Sequence, residues 1–217
     1  MKATFCTLTL LISSLMPVTT FADDFTSTDS SRDAFGVRAG VEISSAAGAP
    51  DYYSNGAGGS AGVVYTKYFY KDFYVEPGAY LFYDTFGQTV ETALPTEQMP
   101  AVADGSIRNF GFRVPVNAGC RLALTDDMGL KFFTGPQMNV SLIARSHFDD
   151  KDIPDEGNIL GKKGFKRFDL QWNFGVGLDY NRWFVGVSAS AGVTKVMNRT
   201  FEHFRRNYAC ISVGYTF

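Results

Sequence analysis

The stretch NYACISVGYTF, residues 207–217, alternates apolar residues with polar or small ones and ends on a phenylalanine. In an extended chain one face carries Ala209, Ile211, Val213, Tyr215 and Phe217, and the other carries Tyr208, Cys210, Ser212, Gly214 and Thr216. A strand of about this length crosses a bilayer at a tilt. Because a free sheet edge is not tolerated in lipid, the stretch predicts a closed β-barrel.

The beginning of the chain has the pattern of a secretory signal peptide, which we assign to residues 1–22. Lys2 gives a basic start, residues 8–16 are mostly apolar, and the segment ending at Ala22 resembles a small-x-small cleavage site. We expect cleavage between Ala22 and Asp23, followed by residence in the cell outer membrane. A transmembrane anchor is the alternative, which the short apolar run disfavours. Residues 23–34 form an acidic leader that we expect to be disordered, and residues 35–217 form the barrel domain.

Composition excludes several classes of function. The formal net charge is −2, so no basic excess predicts nucleic-acid binding. Cys120 and Cys210 fall on strands that we expect to be far apart and to face opposite ways, so neither a disulfide nor a metal site is predicted. Residues 175–177 read Gly-Val-Gly within a strand and are no nucleotide motif. We therefore expect no cofactor and no bound metal, in a monomeric protein.

Period-2 alternation predicts eight strands, near residues 35–45, 59–70, 73–84, 107–121, 129–144, 168–180, 183–196 and 206–217. Lys71-Asp72 and Asn181-Arg182 are two-residue turns, and 123–128 is only slightly longer. The connections at 46–58, 85–106, 145–167 and 197–205 are long. Short turns at one end and long loops at the other are typical of bacterial outer-membrane barrels. The predicted fold is all-β, an eight-stranded antiparallel up-and-down transmembrane β-barrel.

The predicted inward face is polar and the outward face is apolar, with aromatic girdles at both ends, and this disfavours a soluble ligand-binding barrel. Many inward positions are glycine, which we interpret as making room where opposite walls nearly touch. The inward charged and amide residues are Arg38, Glu42, Lys67, Glu76, Arg113, Asn117, Arg121 and Lys131. A two-residue Lys71-Asp72 turn pairs Lys67 with Glu76, which predicts a luminal ion pair. An eight-stranded barrel is just wide enough to be filled by side chains, so no diffusion pore is expected.

Three segments resemble the PorT-like family of outer-membrane beta-barrel proteins. AGVVYTKYFYKDFYVEPGAYLFYD (61–84) is similar to the family's second hairpin, and FRVPVNAGCRLALTDDMGLKFFTGPQMNVSL (112–142) to the next one. Residues 174–196 and 207–217 fit the last three strands. Tyr68 and Gly78 depart from the pattern, since relatives often have Pro and Glu there. The resemblance implies a small Gram-negative outer-membrane barrel without catalytic residues, some of whose relatives assist protein secretion.

Candidate chemistry is confined to the long loops. His147 lies beside Ser146, Asp149 and Asp150, and His203 follows Glu202, so a catalytic site at the rim is conceivable. We favour the interpretation that both histidines are solvated loop residues, and we expect no catalytic group. A possible surface-contact loop carries Asp149, Asp150, Asp152, Lys162, Lys163 and Lys166. The acidic residues of this loop are an alternative candidate for calcium binding, although they lack the EF-hand pattern. Its lysines, together with Arg167, are suited to contact the phosphates of lipopolysaccharide.

The function predicted from the sequence is that of a non-enzymatic outer-membrane barrel, either structural or presenting extracellular loops to a partner. A secretion-accessory or adhesion protein is one alternative, and a rim-sited enzyme acting on lipid or protein is another. The expected partners are outer-membrane lipids and lipopolysaccharide, the barrel assembly machinery, which recognises a strand ending on an aromatic residue, and an unknown surface or secretion partner.

Overall fold

The structure, a computed structural model, describes residues 33–48, 53–92, 101–148, 157–161, 166–196 and 205–217. The predicted signal peptide with its cleavage point between Ala22 and Asp23, and the acidic leader up to residue 32, lie outside the described residues. The strands are β1 (Ala34–Ala47), β2 (Tyr53–Ser54), β3 (Gly56–Tyr70), β4 (Phe73–Thr92), β5 (Ala101–Ala123), β6 (Met128–Phe148), β7 (Phe168–Tyr180), β8 (Trp183–Gly192) and β9 (Arg205–Thr216). Among the residues described, no helix is long and apolar enough to cross a membrane.

The strands close into a ring, as predicted. Each long strand pairs antiparallel with its neighbours along the chain, and β1 pairs with β9 to complete the circle. The ring has eight members, because β2 only extends the sheet beside Gly87 and Gln88 of β4. We call the end that carries the β3–β4, β5–β6 and β7–β8 turns the turn end, and the opposite end the loop end.

Strands β4, β5 and β6 extend farther at the loop end than the alternation predicts. β4 continues to Thr92 and pairs with β5 from Ala101, so most of the predicted loop 85–106 is a β-hairpin. β6 likewise continues to Phe148. The outward residues added to β4, Thr85, Gly87 and Thr89, are polar or small, and the apolar Phe86 faces inward. Apolar residues therefore no longer mark the outward face, while the backbone pairing continues.

The barrel is apolar outside and polar inside. Val41 and Ile211 on the outer wall are 68% and 60% exposed, whereas inward Asp169 and Gln171 are 2% and 0% exposed. A continuous exposed apolar surface of this kind marks a membrane interface. At the turn end the outward rings of Trp183, Tyr215 and Phe217 stack edge to face, with centroid separations of 5.3 and 5.5 Å. These aromatics form the predicted girdle.

One of the two tight turns has the predicted register and the other does not. Across Asn181, Tyr180 pairs with Trp183 and Asp179 with Phe184, as expected. Across Lys71 a β-bulge intervenes, because Tyr70 pairs with Phe73 but Tyr68 already pairs with Tyr74.

The bulge makes the predicted Lys67–Glu76 ion pair wrong. The extra residue, Phe69, inverts the facing of every β3 residue before it, so Lys67 is exposed on the outer wall and pairs in register with Val75. Thr66 takes the inward position instead and donates a hydrogen bond to the Glu76 carboxylate over 2.8 Å.

Several inward glycines make room for aromatic rings from neighbouring strands. A methyl group on Gly177 of β7 would overlap the Phe184 ring of β8. One on Gly119 of β5 would lie 2.8 Å from the Tyr74 ring of β4. Tyr74 and Phe184 belong to a buried cluster with Tyr68 and Phe133 near the turn end, and this cluster fills the lumen there.

Candidate functional site

The lumen near the turn end holds a buried arginine–glutamate pair. Arg38 of β1 donates two hydrogen bonds of 2.6 Å to the two carboxylate oxygens of Glu76 on β4. The Arg38 guanidinium also lies 3.8 Å from the centroid of the Phe184 ring. Two-point binding with an aromatic face below is the geometry in which a buried ion pair offsets its loss of hydration.

A second group of charges lies closer to the turns. The ammonium of Lys131 is 3.0 Å from Asp179, and Arg121 Nε is 3.5 Å from the same carboxylate oxygen. Both cations were predicted to face inward, and the structure confirms this. Asp179 is the last inward residue before the Asn181 turn, so the alternation of β7 places it there.

The central layer is organised by Arg113 of β5. Its two terminal nitrogens donate to the carboxylate of Glu42 over 2.8 and 3.0 Å, and its Nε donates to Asn139 Oδ1 over 2.9 Å. The guanidinium lies 4.1 Å from the centroid of the Tyr208 ring, and the Tyr208 hydroxyl donates to Gln137 over 2.6 Å. Four different strands are thereby connected through one side chain.

The layer nearest the loop end is built around Arg206. Its guanidinium lies 3.0 Å from Asp84 of β4 and 2.7 Å from Asp169 of β7, which are on different sides of the ring. All three residues are buried. Arg206 and Asp84 were not singled out from the sequence, although both have the parity of the inward residues on their strands. Parity alone therefore contains the signal that would have identified them.

Among the described residues, the charges that face the lumen balance in number. Five cations, Arg38, Arg113, Arg121, Lys131 and Arg206, face five carboxylates, Glu42, Glu76, Asp84, Asp169 and Asp179. Between the Arg38 and Arg113 layers a polar cavity of about 50 Å³ is enclosed beside Tyr80 and Tyr208. This space suits a few ordered water molecules and no larger solute.

Above the Arg206 layer, an apolar cap covers the mouth of the barrel. Buried Phe86, Ile107 and Val196 are packed against Ala46, Tyr53, Ile159 and Leu160. Ile159 and Leu160 come from the connection between β6 and β7, and the Ile159 amide donates to the Ala144 carbonyl over 2.9 Å. Part of the predicted loop 145–167 therefore packs against the rim of the barrel.

The structure describes only some of the rim residues considered for catalysis, and those residues do not come together in one site. Ser146 and His147 are consecutive residues of β6, so they point to opposite faces. Ser146 faces the lumen and accepts a hydrogen bond from the Gln88 amide, whereas His147 is half-exposed outside. His203, Asp149, Asp150, Asp152, Lys162 and Lys163 lie outside the described residues. The Lys166 amide donates to the Val196 carbonyl over 2.8 Å, which ties this part of the loop to the rim.

In the part of the chain that the structure describes, the cysteines and the acidic residues do not form a metal site. No group of three His, Cys, Asp or Glu side chains there is arranged to hold an ion. Cys210 is buried in the lumen and Cys120 is half-exposed on the outer wall, so both are free thiols on opposite faces, as predicted.

Comparison with known families agrees with this geometry. The family model described as outer membrane protein beta-barrel domain matches residues 21–198. The chain belongs to this family. Its location is accordingly the outer membrane, so the turn end is periplasmic and the loop end is extracellular. No curated protein sequence matches the chain.

Several solved structures share the barrel at low identity. Neisserial surface protein A (NspA) is 14% identical over 84% of this chain and 97% of its own, with a TM-score of 0.43. Ail, the attachment invasion locus protein of Yersinia pestis, is 14% identical over 85% of this chain and 97% of its own, with a TM-score of 0.39. The N-terminal β-barrel domain of Pseudomonas aeruginosa OprF is 11% identical over 84% and 97%, with a TM-score of 0.31.

Proposed function

We propose that this outer-membrane barrel conducts no solutes, catalyses no reaction and acts through its extracellular surface. The observation that carries the proposal is the filled lumen, in which five cations and five carboxylates pair in stacked layers beneath an apolar cap. Breaking any of these pairs to open a path would strand a buried charge, which costs several kcal/mol. A function based on permeation is therefore disfavoured.

The long β4–β5 hairpin supports a role in presenting a surface. β4 continues for eight residues past Asp84 to Thr92, which is roughly 26 Å at about 3.3 Å per residue. The outward aromatic Tyr83 marks the upper edge of the apolar wall, so most of this length extends beyond the membrane. A secretion-accessory or adhesion role is the form of this function that such a projection favours.

The rim-enzyme alternative has less support. A nucleophile and its base must lie within hydrogen-bond reach of each other, whereas Ser146 and His147 face opposite sides of β6. The proposal therefore assigns no catalytic residue.

The remaining parts of the proposal follow from the sequence. We propose that the chain is a PorT-like member of its family, that cleavage after Ala22 releases the mature protein, and that the barrel assembly machinery inserts it as a monomer. Outer-membrane lipids and lipopolysaccharide surround it, and the 149–163 loop, with its acidic and then basic residues, contacts a protein partner.

Two measurements on the full-length protein test the proposal. In planar bilayers we expect no stable conductance from the wild type, and the matched variant with Ile159→Ser and Leu160→Ser tests whether the cap contributes to closure. Reproducible porin-sized steps from the wild type would refute the closed lumen.

For the surface role, residues 149–156 are replaced by a short Gly/Ser link, which leaves the cap residues Ile159 and Leu160 in place. We expect normal insertion and normal heat-modified gel mobility, because surface-loop length has little effect on stability. A protein that crosslinks reproducibly to the wild type should no longer crosslink to the variant. Unchanged crosslinking would contradict the role of this loop.

A further inference from the structure

Two arginines lie directly opposite each other on neighbouring strands, at the extracellular border of the apolar wall. Arg108 of β5 is the register partner of Arg145 of β6, and both side chains are exposed on the outward face. The Cβ atoms of directly opposed residues are only about 4.5–5.5 Å apart, so like charges at such positions destabilise a sheet. The arrangement is unfavourable unless an anion lies between the two guanidinium groups.

A β-bulge in β6 creates this pair. Phe110 pairs with Ile143, but the next residue, Gly111, pairs with Ser141, so Leu142 is an extra residue in β6. If β6 alternated regularly through Leu142, with no bulge, Arg145 would point into the lumen. With it, Ala144 faces inward and is buried, and Arg145 faces outward beside Arg108.

In the part of the chain that the structure describes, the neighbours of both guanidinium groups leave them available, and the β-bridge partner of Arg145 in the following connection is the uncharged Asn158. Within the described ranges, no carboxylate forms an ion pair with Arg108 or Arg145. On β4 the residue opposite Arg108 is Thr85, which is uncharged. The outward acid along β5, Asp104, is four residues away, or about 13 Å along the strand.

The wall directly below the arginines is apolar. Phe110 and Ile143 oppose each other one outward position nearer the membrane, and both are exposed. Tyr83, the register partner of Phe110 on β4, extends this surface. A ligand that fits here has an anionic head at the height of the arginines and an apolar tail beneath it, which is the chemistry of a phosphorylated lipid.

We propose that Arg108 and Arg145 together bind a phosphate group of lipopolysaccharide, with its acyl chains against Phe110 and Ile143. Guanidinium groups present paired donors that match phosphate oxygens, and two of them neutralise the doubly charged group. This site deepens the lipopolysaccharide contact proposed above and is independent of the 149–163 loop and its partner. It also gives the bulge a purpose, because the bulge brings the second arginine to the lipid.

The test uses full-length protein in phosphatidylcholine nanodiscs with added diphosphoryl lipid A, and native mass spectrometry to count the retained lipid. Arg108→Gln with Arg145→Gln is compared with Lys195→Gln with Arg205→Gln, which removes two exposed cations from the extracellular end of the opposite wall. We expect about a tenfold or greater loss of affinity in the first variant only, since tenfold corresponds to about 1.4 kcal/mol. Arg108→Lys with Arg145→Lys should recover part of the affinity.

Four results would overturn the proposal. Equal lipid A binding by wild type and the arginine variant would show that these residues do not contact the phosphate. An equal loss in the Lys195 and Arg205 control would show an effect of total charge. Equal retention of dephosphorylated lipid A would show that the arginines do not recognise the phosphate. Displacement of the lipid by millimolar inorganic phosphate would show that the site binds the free anion and does not need the lipid. The partner crosslinking described above should be unchanged in the arginine variant, which separates this site from the loop function.

Discussion

Removing Glu76 should destabilise the barrel more than any single change on its outer wall. In the wild type the Arg38 guanidinium donates two hydrogen bonds of 2.6 Å to Glu76. Glu76→Leu leaves this guanidinium without an anion in a closed lumen. Breaking one partner of a buried pair costs about 3–5 kcal/mol, mostly because the other charge is stranded. Replacing both partners, Arg38→Met with Glu76→Leu, removes that penalty and should recover more than half of the loss.

The measurement is guanidinium unfolding in lipid vesicles, followed by tryptophan fluorescence and by gel mobility without boiling. Trp172 and Trp183 both lie on the lipid-facing wall, so their emission reports directly on loss of the barrel. Lys67→Met is the matched control, because Lys67 is exposed outside, and it should change the unfolding free energy by less than about 1 kcal/mol. A Lys67 effect as large as that of Glu76, or a double variant no better than the single one, would refute the Arg38–Glu76 pairing and the bulge.

Two further predictions test the packing of the lumen. In the folded protein a membrane-permeant maleimide should modify Cys120 on the outer wall, while Cys210 should react only after unfolding; reaction of both at equal rates would contradict the assigned faces. Gly177→Val places methyl groups where the Phe184 ring lies and should cost about 1–3 kcal/mol in the same unfolding assay. Gly157→Val is its control, since nothing lies within 4 Å there, and an equal cost in both would show that overpacking is not the cause.

Most of the fold could be predicted from the sequence because the barrel repeats one simple rule. On β7, Trp172 and Phe174 face lipid while Gln171 and Asn173 face the lumen, so period-2 alternation identifies both the strand and its two environments. The same rule predicts which residues are inside at most other positions. Where β4 leaves the membrane, its outward face meets water instead of lipid and carries polar or small residues, so the pattern no longer distinguishes strand from loop.

The specific partners inside the lumen could not be predicted in the same way. Parity shows that Arg113 and Glu42 face inward, but they come from strands on different sides of the ring. Which cation reaches which carboxylate depends on the tilt and stagger of the strands, and these are properties of the closed barrel. The contacts of Arg206 with Asp84 and Asp169 across the lumen could not be predicted for the same reason. Arg206 and Asp84 are 122 positions apart in the sequence.

The register error of the sequence prediction, at Lys67, falls at the first of the two bulges, and charge balance explains why both bulges are there. If the intact sequence alternated without a bulge at Phe69, Lys67 would point into the lumen, and without a bulge at Leu142 so would Arg145. Either change would add a cation to a closed interior in which five cations already face five carboxylates, and an unpaired buried charge is strongly unfavourable. Each bulge instead turns its cation outward near one border of the apolar wall, where a long side chain reaches the lipid headgroups. The bulges therefore keep the lumen neutral while supplying cations to both membrane interfaces, and at the extracellular one the second cation completes the arginine pair.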